Sequence, residues 1–143
     1  MEHLKHSWLW LVVSLLLTAC GSGREAYVAD VVGNCWQEGV VVRVPNQDTL
    51  SERELKLFLR LDPDFREDSL TVRIETLTPD SLRTEELHHL VFTPPRRISS
   101  LHAVEEISYR RGVQLPIAGN YYFIITPLRP VHRVEAVGVL FKE

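Results

Sequence analysis

The most regular pattern in the chain lies between residues 55 and 75. Leu55, Leu57, Leu59 and Leu61 alternate with Lys56, Phe58 and Arg60, and after a turn at Asp62-Pro63-Asp64 the residues Leu70, Val72 and Ile74 alternate with Thr71, Arg73 and Glu75. A period of two places one set of side chains on each face of a strand, so both segments predict strands with one face in a core. Earlier, Tyr27 to Val32 predicts a first strand and Trp36 to Val44 a second, with Val40-Val41-Val42 continuous enough to predict burial on both sides. Pro45-Asn46-Gln47-Asp48 predicts a break. Later, Tyr121 to Thr126 is aromatic and β-branched, and Val134 to Phe141 supplies a last strand in which Gly138 marks a bulge. Leu82 to Phe92 reads either as a helix lined by Leu82, Leu87, Leu90 and Val91 or as a strand in its later part, with the strand preferred. Leu101 to Tyr109 has no clear pattern.

Six to eight short strands without a long helix predict an all-β domain. A sheet with one apolar face must bury it against another, so the expected architecture is a single antiparallel β-sandwich, jelly-roll or immunoglobulin-like, over residues 27–143.

The amino terminus follows a different rule. Between Trp8 and Leu17 only Ser14 interrupts the apolar residues, a run shorter than the roughly 20 needed to span a bilayer. Lys5 lies just before it, and the layout fits a signal-peptide core over residues 1–19. Leu17-Thr18-Ala19-Cys20, followed by Gly21-Ser22-Gly23, resembles the lipobox of bacterial lipoproteins. The resemblance implies cleavage before Cys20, a diacylglyceryl group on its thiol and a palmitate-like chain on its amine. Each buried methylene contributes about 0.8 kcal/mol, so several chains on one residue hold the protein to its membrane without help from the domain. Residues 20–26 then read as the lipidated end and a flexible tether.

Cleavage leaves one domain's worth of chain, and the formal net charge of −3 gives no footprint for nucleic acid. With Cys20 lipidated, Cys35 is the one remaining thiol, so no disulfide within the mature chain is possible and a buried free thiol is expected. No cofactor-binding motif is present.

Candidate chemistry is sparse. Asp62, Asp64 and Asp68 with Glu67 offer the oxygen ligands that calcium prefers, but Pro63 stiffens the segment and no EF-hand glycine is present, so a solvated acidic turn is preferred. His88 and His89, preceded by Glu85 and Glu86, point apart on any regular element and read as surface residues rather than metal ligands. Ser99-Ser100 with His102 lacks the glycine-flanked elbow of a nucleophile. Arg96-Arg97 and Arg110-Arg111 read as solvated loop ends, with a basic patch as the alternative. The chain therefore reads as noncatalytic.

At the carboxyl end Gly119, Tyr121 or Tyr122, Phe123, Leu128-Arg129 and Val137-Gly138-Val139 form a set that resembles the closing pattern of GldH, the gliding-motility lipoprotein family of Bacteroidetes. Trp36, Arg60, Phe65, Leu70 and Thr78-Pro79-Asp80 fall in compatible order. Leu128 stands where that family has methionine, Ser69-Leu70 where it has asparagine-leucine, and Ala136 where it has an acid. The resemblance implies a noncatalytic outer-membrane lipoprotein facing the periplasm, a structural or assembly component beside protein partners of the gliding-motility or type IX secretion machinery. Arg129, inside the motif, is the candidate partner-binding residue, with a carboxylate pair inside the sandwich as its other reading. The alternative from another class is a lipid-anchored module that binds a carbohydrate, peptide or metal in the cell envelope.

Overall fold

A computed structural model describes residues 23–92, the backbone of 97–98, and 102–143. The signal segment, Cys20, Arg96, Ser99, Ser100 and Leu101 lie outside the described residues. In chain order the strands are β1 (Arg24–Asp30), β2 (Cys35–Trp36), β3 (Val40–Asn46), β4 (Arg53–Leu61), β5 (Ser69–Leu77), β6 (Arg83–Val91), β7 (Arg97–Ile98), β8 (Ala103–Val113), β9 (Gly119–Pro127), β10 (Val131–His132) and β11 (Val134–Lys142). A 3-10 turn, Val32–Asn34, follows β1.

All pairings are antiparallel. One sheet has the order β1-β11-β4-β8-β7, the other β3-β9-β5-β6, and β10 pairs β2 as a separate ribbon. Consecutive long strands repeatedly change sheet, which is the jelly-roll form of the β-sandwich expected from the sequence.

The two inner faces explain the alternation. Leu55, Leu57, Leu59 and Leu61 of β4 and Val137, Val139 and Phe141 of β11 meet Val42, Val44, Leu70, Val72, Ile74, Tyr121, Phe123 and Ile125 of the other sheet, and all are buried. Phe123 and Phe141 touch edge to face across the sandwich, with ring centroids 6.5 Å apart. At one end Phe65 closes the core against Phe92 at 5.1 Å. Each such side chain contributes roughly 1.5–3 kcal/mol when taken from water.

Several boundaries differ from the sequence reading. Arg24, Glu25 and Ala26, expected in the tether, already pair with Lys142, Phe141 and Leu140, so β1 starts three residues early. The expected second strand is two strands, separated by Gln37–Gly39. Val41 is half-exposed instead of buried, because β3 is an edge strand with one face to solvent. Pro45 and Asn46 continue β3, since an edge strand tolerates a proline lacking a ladder donor. The Leu82 to Phe92 segment is a strand over most of its length, and Leu101 to Tyr109 belongs largely to the long β8.

The bulge in β11 lies at Glu135, between Val134 and Ala136, and not at Gly138. Gly138 has a different role. A Cβ placed there would meet the Tyr27 carbonyl oxygen at 2.2 Å and Val28 Cα at 2.8 Å, so its hydrogen is what lets β1 press onto β11.

Candidate functional site

The strand directions give the sandwich two distinct ends. The first described residue and the last meet at one of them, where the Glu143 N–H donates to the Gly23 carbonyl at 2.8 Å. The opposite end carries the loops 31–39, 62–68 and 128–133, about 30 Å away for strands of nine residues.

Arg129 stands at that opposite end. As β9 finishes, the Leu128 N–H donates to the Thr71 carbonyl at 3.0 Å, which pins the exit and leaves both Leu128 and Arg129 exposed before Pro130 turns the chain. The Arg129 guanidinium donates to both oxygens of Glu67 at 3.0 and 2.7 Å, and more weakly to the Ser69 carbonyl at 3.4 Å. Those hydrogen bonds hold the Glu67 carboxyl below its ordinary range and push the Arg129 guanidinium up. The carboxylate partner foreseen for Arg129 exists, but it sits on the surface and not inside the sandwich. An exposed pair of this kind stabilises the fold little.

The neighbouring acids face arginines. Asp62 accepts from the Asp64 N–H at 2.8 Å and from Arg133 at 3.3 Å, while Asp64 lies 3.5 Å from Arg66 and 3.8 Å from Arg133. Arg133 is held there by a left-handed backbone (φ 67°) whose N–H donates to the Asn34 carbonyl at 2.8 Å. Among the described residues no three acids, histidines or cysteines converge as a metal site.

Two of the clefts among the described residues bear on these candidates. One of about 460 Å³ is lined by residues that include Asp30, Val32, Cys35, Trp36, Glu38 and Val41. Cys35 is a free thiol, half-buried at this cleft, where burial was expected. The fully buried Trp36 has an indole N–H without a hydrogen-bond partner. The other cleft, about 310 Å³, opens between β6 and β8 and includes Thr84, Glu86, Tyr109, Arg110, Tyr121 and Phe123 in its lining. Arg110 spans it, donating to both Glu86 oxygens at 2.7 Å and lying over the Tyr109 ring at 5.5 Å. Arg110 and Arg111 therefore belong to a strand, and are not loop ends.

The remaining sequence candidates separate. His88 meets the Tyr109 ring at 5.1 Å, whereas His89, on the opposite face, reaches the Thr71 hydroxyl at 3.0 Å. Glu85 pairs with Arg73 at 3.2 Å. His102 contacts Glu135 at 2.6 Å, and Glu135 also lies 3.4 Å from Arg60, which bonds Asp30 at 3.0 Å. The bulge at Glu135 aims that carboxylate at both partners. Neither this network nor the Arg110–Glu86 clamp is visible in the sequence, because the bonded partners lie 24 to 75 residues apart and carry no local motif.

No family model matches the chain, and no curated protein sequence matches it. Among solved structures, the chain is similar to an X-ray crystal structure described as a non-crystalline cellulose specific carbohydrate-binding module, CBM28. The two are 12% identical with a TM-score of 0.39, over 85% of this chain and 87% of that one.

Proposed function

We propose that the protein is a noncatalytic lipoprotein, anchored through lipid on Cys20 in the outer membrane and facing the periplasm, that acts through binding surfaces as a structural or assembly component of a gliding-motility apparatus. The observation that carries the binding role is the placement of Leu128 and Arg129. They are exposed together at the end of the sandwich farthest from Gly23, while the other residues of the carboxyl-terminal motif are mostly buried. A half-exposed leucine beside the exposed Arg129–Glu67 pair supplies an apolar contact with a charged group at its rim, a combination suited to protein recognition. Arg60, Asp30, Glu135, Arg110, Glu86, Arg129 and Glu67 are each held in a surface ion pair.

The experiment is affinity isolation of the lipidated protein from envelope membranes. Co-isolation of motility or type IX secretion components, lost in a Leu128→Ser/Arg129→Glu variant, supports the reading; a lone protein carrying bound sugar refutes it. Cys20→Ala tests the anchor separately, and its persistence in the outer membrane would remove the basis for the localisation. A second reading, a lipid-anchored module for a carbohydrate or peptide, is favoured by the cleft between β6 and β8, where the half-buried Tyr109 lies over the buried Tyr121 and Phe123.

A further inference from the structure

The long strand edges are not protected alike. β1 and β3 lie against each other along one side of the sandwich, and β3 carries Pro45. β8 is capped at one end by β7, and its pairing with β4 is interrupted by register shifts near Leu55. β6 differs. Among the described residues it is the last strand of its sheet and meets β8 across the cleft, its nine residues pair with β5 without a shift, and it contains no proline, glycine or lysine. Two of its outward side chains, Leu87 and Val91, are 60% and 58% exposed. A long, flat edge with exposed apolar side chains is a template for another strand.

The sequence of β6, Arg83-Thr84-Glu85-Glu86-Leu87-His88-His89-Leu90-Val91, identifies the strand that fits it. When two copies run antiparallel about a two-fold axis at Leu87, each Glu85 faces the second copy's His89 and each Glu86 faces its His88. Leu87 meets Leu87, Thr84 meets Leu90 and Arg83 meets Val91. All four acidic positions then face imidazoles, whose N–H donates to a carboxylate whether or not the ring is charged. The second copy is therefore complementary to β6 in charge and hydrogen bonding. We infer that β6 is a self-association edge, through which two copies of this chain join their four-stranded sheets into one of eight strands.

The groups already around these residues are compatible with that pairing. Arg73 of β5 holds Glu85 on the outer face, and Thr71 of β5 holds His89 there. On the inner face Arg110 of β8 holds Glu86, and Tyr109 of β8 packs against His88. Arg83 is paired with Glu75 of β5. These contacts are made by side chains, and among the described residues the backbone edge of β6 has no strand beside it. The two-fold axis is perpendicular to the sheet, so the two Gly23 residues lie at the same height along it and can both face one membrane parallel to the sheet, a step that rests on the lipid anchor of the proposed function.

The test uses the full lipoprotein in detergent micelles, in a Cys35→Ala background so that the native thiol is silent. Leu87→Cys is expected to give an oxidised dimer, because the two positions face each other across the axis. Val91→Cys is expected to stay monomeric on oxidation, since its copies lie about 27 Å apart, eight residues of strand. In sedimentation, Leu87→Lys, which sets like charges directly opposite on an exposed site, is expected to weaken association roughly tenfold or more with unchanged thermal stability. A wild-type protein that stays monomeric at every concentration, equal cross-linking of the two cysteine variants, or dimers undiminished by Leu87→Lys would each overturn the inference.

Discussion

Gly138→Ala isolates a purely steric requirement. Gly138 has no positive φ, so alanine brings no backbone strain there; the cost comes from the methyl group alone. That group would sit 2.2 Å from the Tyr27 carbonyl oxygen, 3.0 Å from its carbonyl carbon and 2.8 Å from Val28 Cα, all backbone atoms that cannot rotate aside. Restoring ordinary contact at 3.4 Å or more requires β1 to retreat by about 1 Å. Overpacking of this size costs about 1–3 kcal/mol where the strand gives way gradually. It rises toward about 4 kcal/mol if β1 leaves its place, because Tyr27 then loses its edge-to-face contact with Phe141 at 6.4 Å. At roughly 3–4 °C per kcal/mol for a domain of this size, the melting temperature should fall by about 6–16 °C if the cost is about 2–4 kcal/mol. Scanning calorimetry reads the shift, and amide exchange across Arg24–Asp30 reports whether β1 is the part that loosens. Gly33→Ala is the matched control, with φ 73° and open space around its Cβ, where only a backbone cost of about 1 kcal/mol applies. A Gly138→Ala protein that melts within 2 °C of wild type would show that β1 is not held by that close approach.

Three further outcomes follow from other parts of the molecule. Leu57→Ala removes a side chain only 1% exposed at the centre of β4 and should cost about 2–5 kcal/mol in urea unfolding; a loss below about 1 kcal/mol would contradict the burial. Asp48 accepts from the Leu50 and Ser51 N–H groups at 3.1 and 3.0 Å and from the Ser51 side chain, which lower its carboxyl from the ordinary 3.8 to about 2. Its stabilising effect is complete above the unfolded value and disappears as the pH falls from about 4 toward 2, so Asp48→Ala should flatten the urea midpoint over that window. Arg129→Ala should raise the Glu67 titration midpoint toward an ordinary carboxylate in an NMR titration, since the Arg129 hydrogen bond is the main cause of its depression. An unmoved midpoint would mean the pair is not formed in solution.

What the sequence reveals depends on how each strand is buried. β4 and β5 are legible because each has one face in the core, so Leu55 to Leu61 and Leu70 to Ile74 alternate without exception. β6 hides itself: Leu87 and Val91 face solvent while Glu86 and His88 turn toward the cleft with β8, which inverts the expected pattern along an edge. The start of β1 is polar, and only its pairing with β11 identifies Arg24 and Glu25 as strand. At the candidate surface Arg129 was legible as a residue. Its partner Glu67 was not, because 62 residues separate them and only the meeting of the β4–β5 loop with the end of β9 joins them.

The carboxyl-terminal motif divides in the same way, and the division bears on function. Tyr121, Phe123, Val137 and Val139 are core residues, and Gly119 takes a φ of 129° with Pro79 pressed against it. Gly138 is fixed by the approach of β1. Those positions answer to packing, and any chain folding as this jelly roll would be constrained there regardless of what it binds. Leu128 and Arg129 have no such constraint: the backbone bond from Leu128 to Thr71 sets the exit of β9, but neither side chain is needed by the core. The buried part of the motif therefore speaks for the architecture, and the exposed pair is where a requirement imposed by a partner can be separated from one imposed by folding.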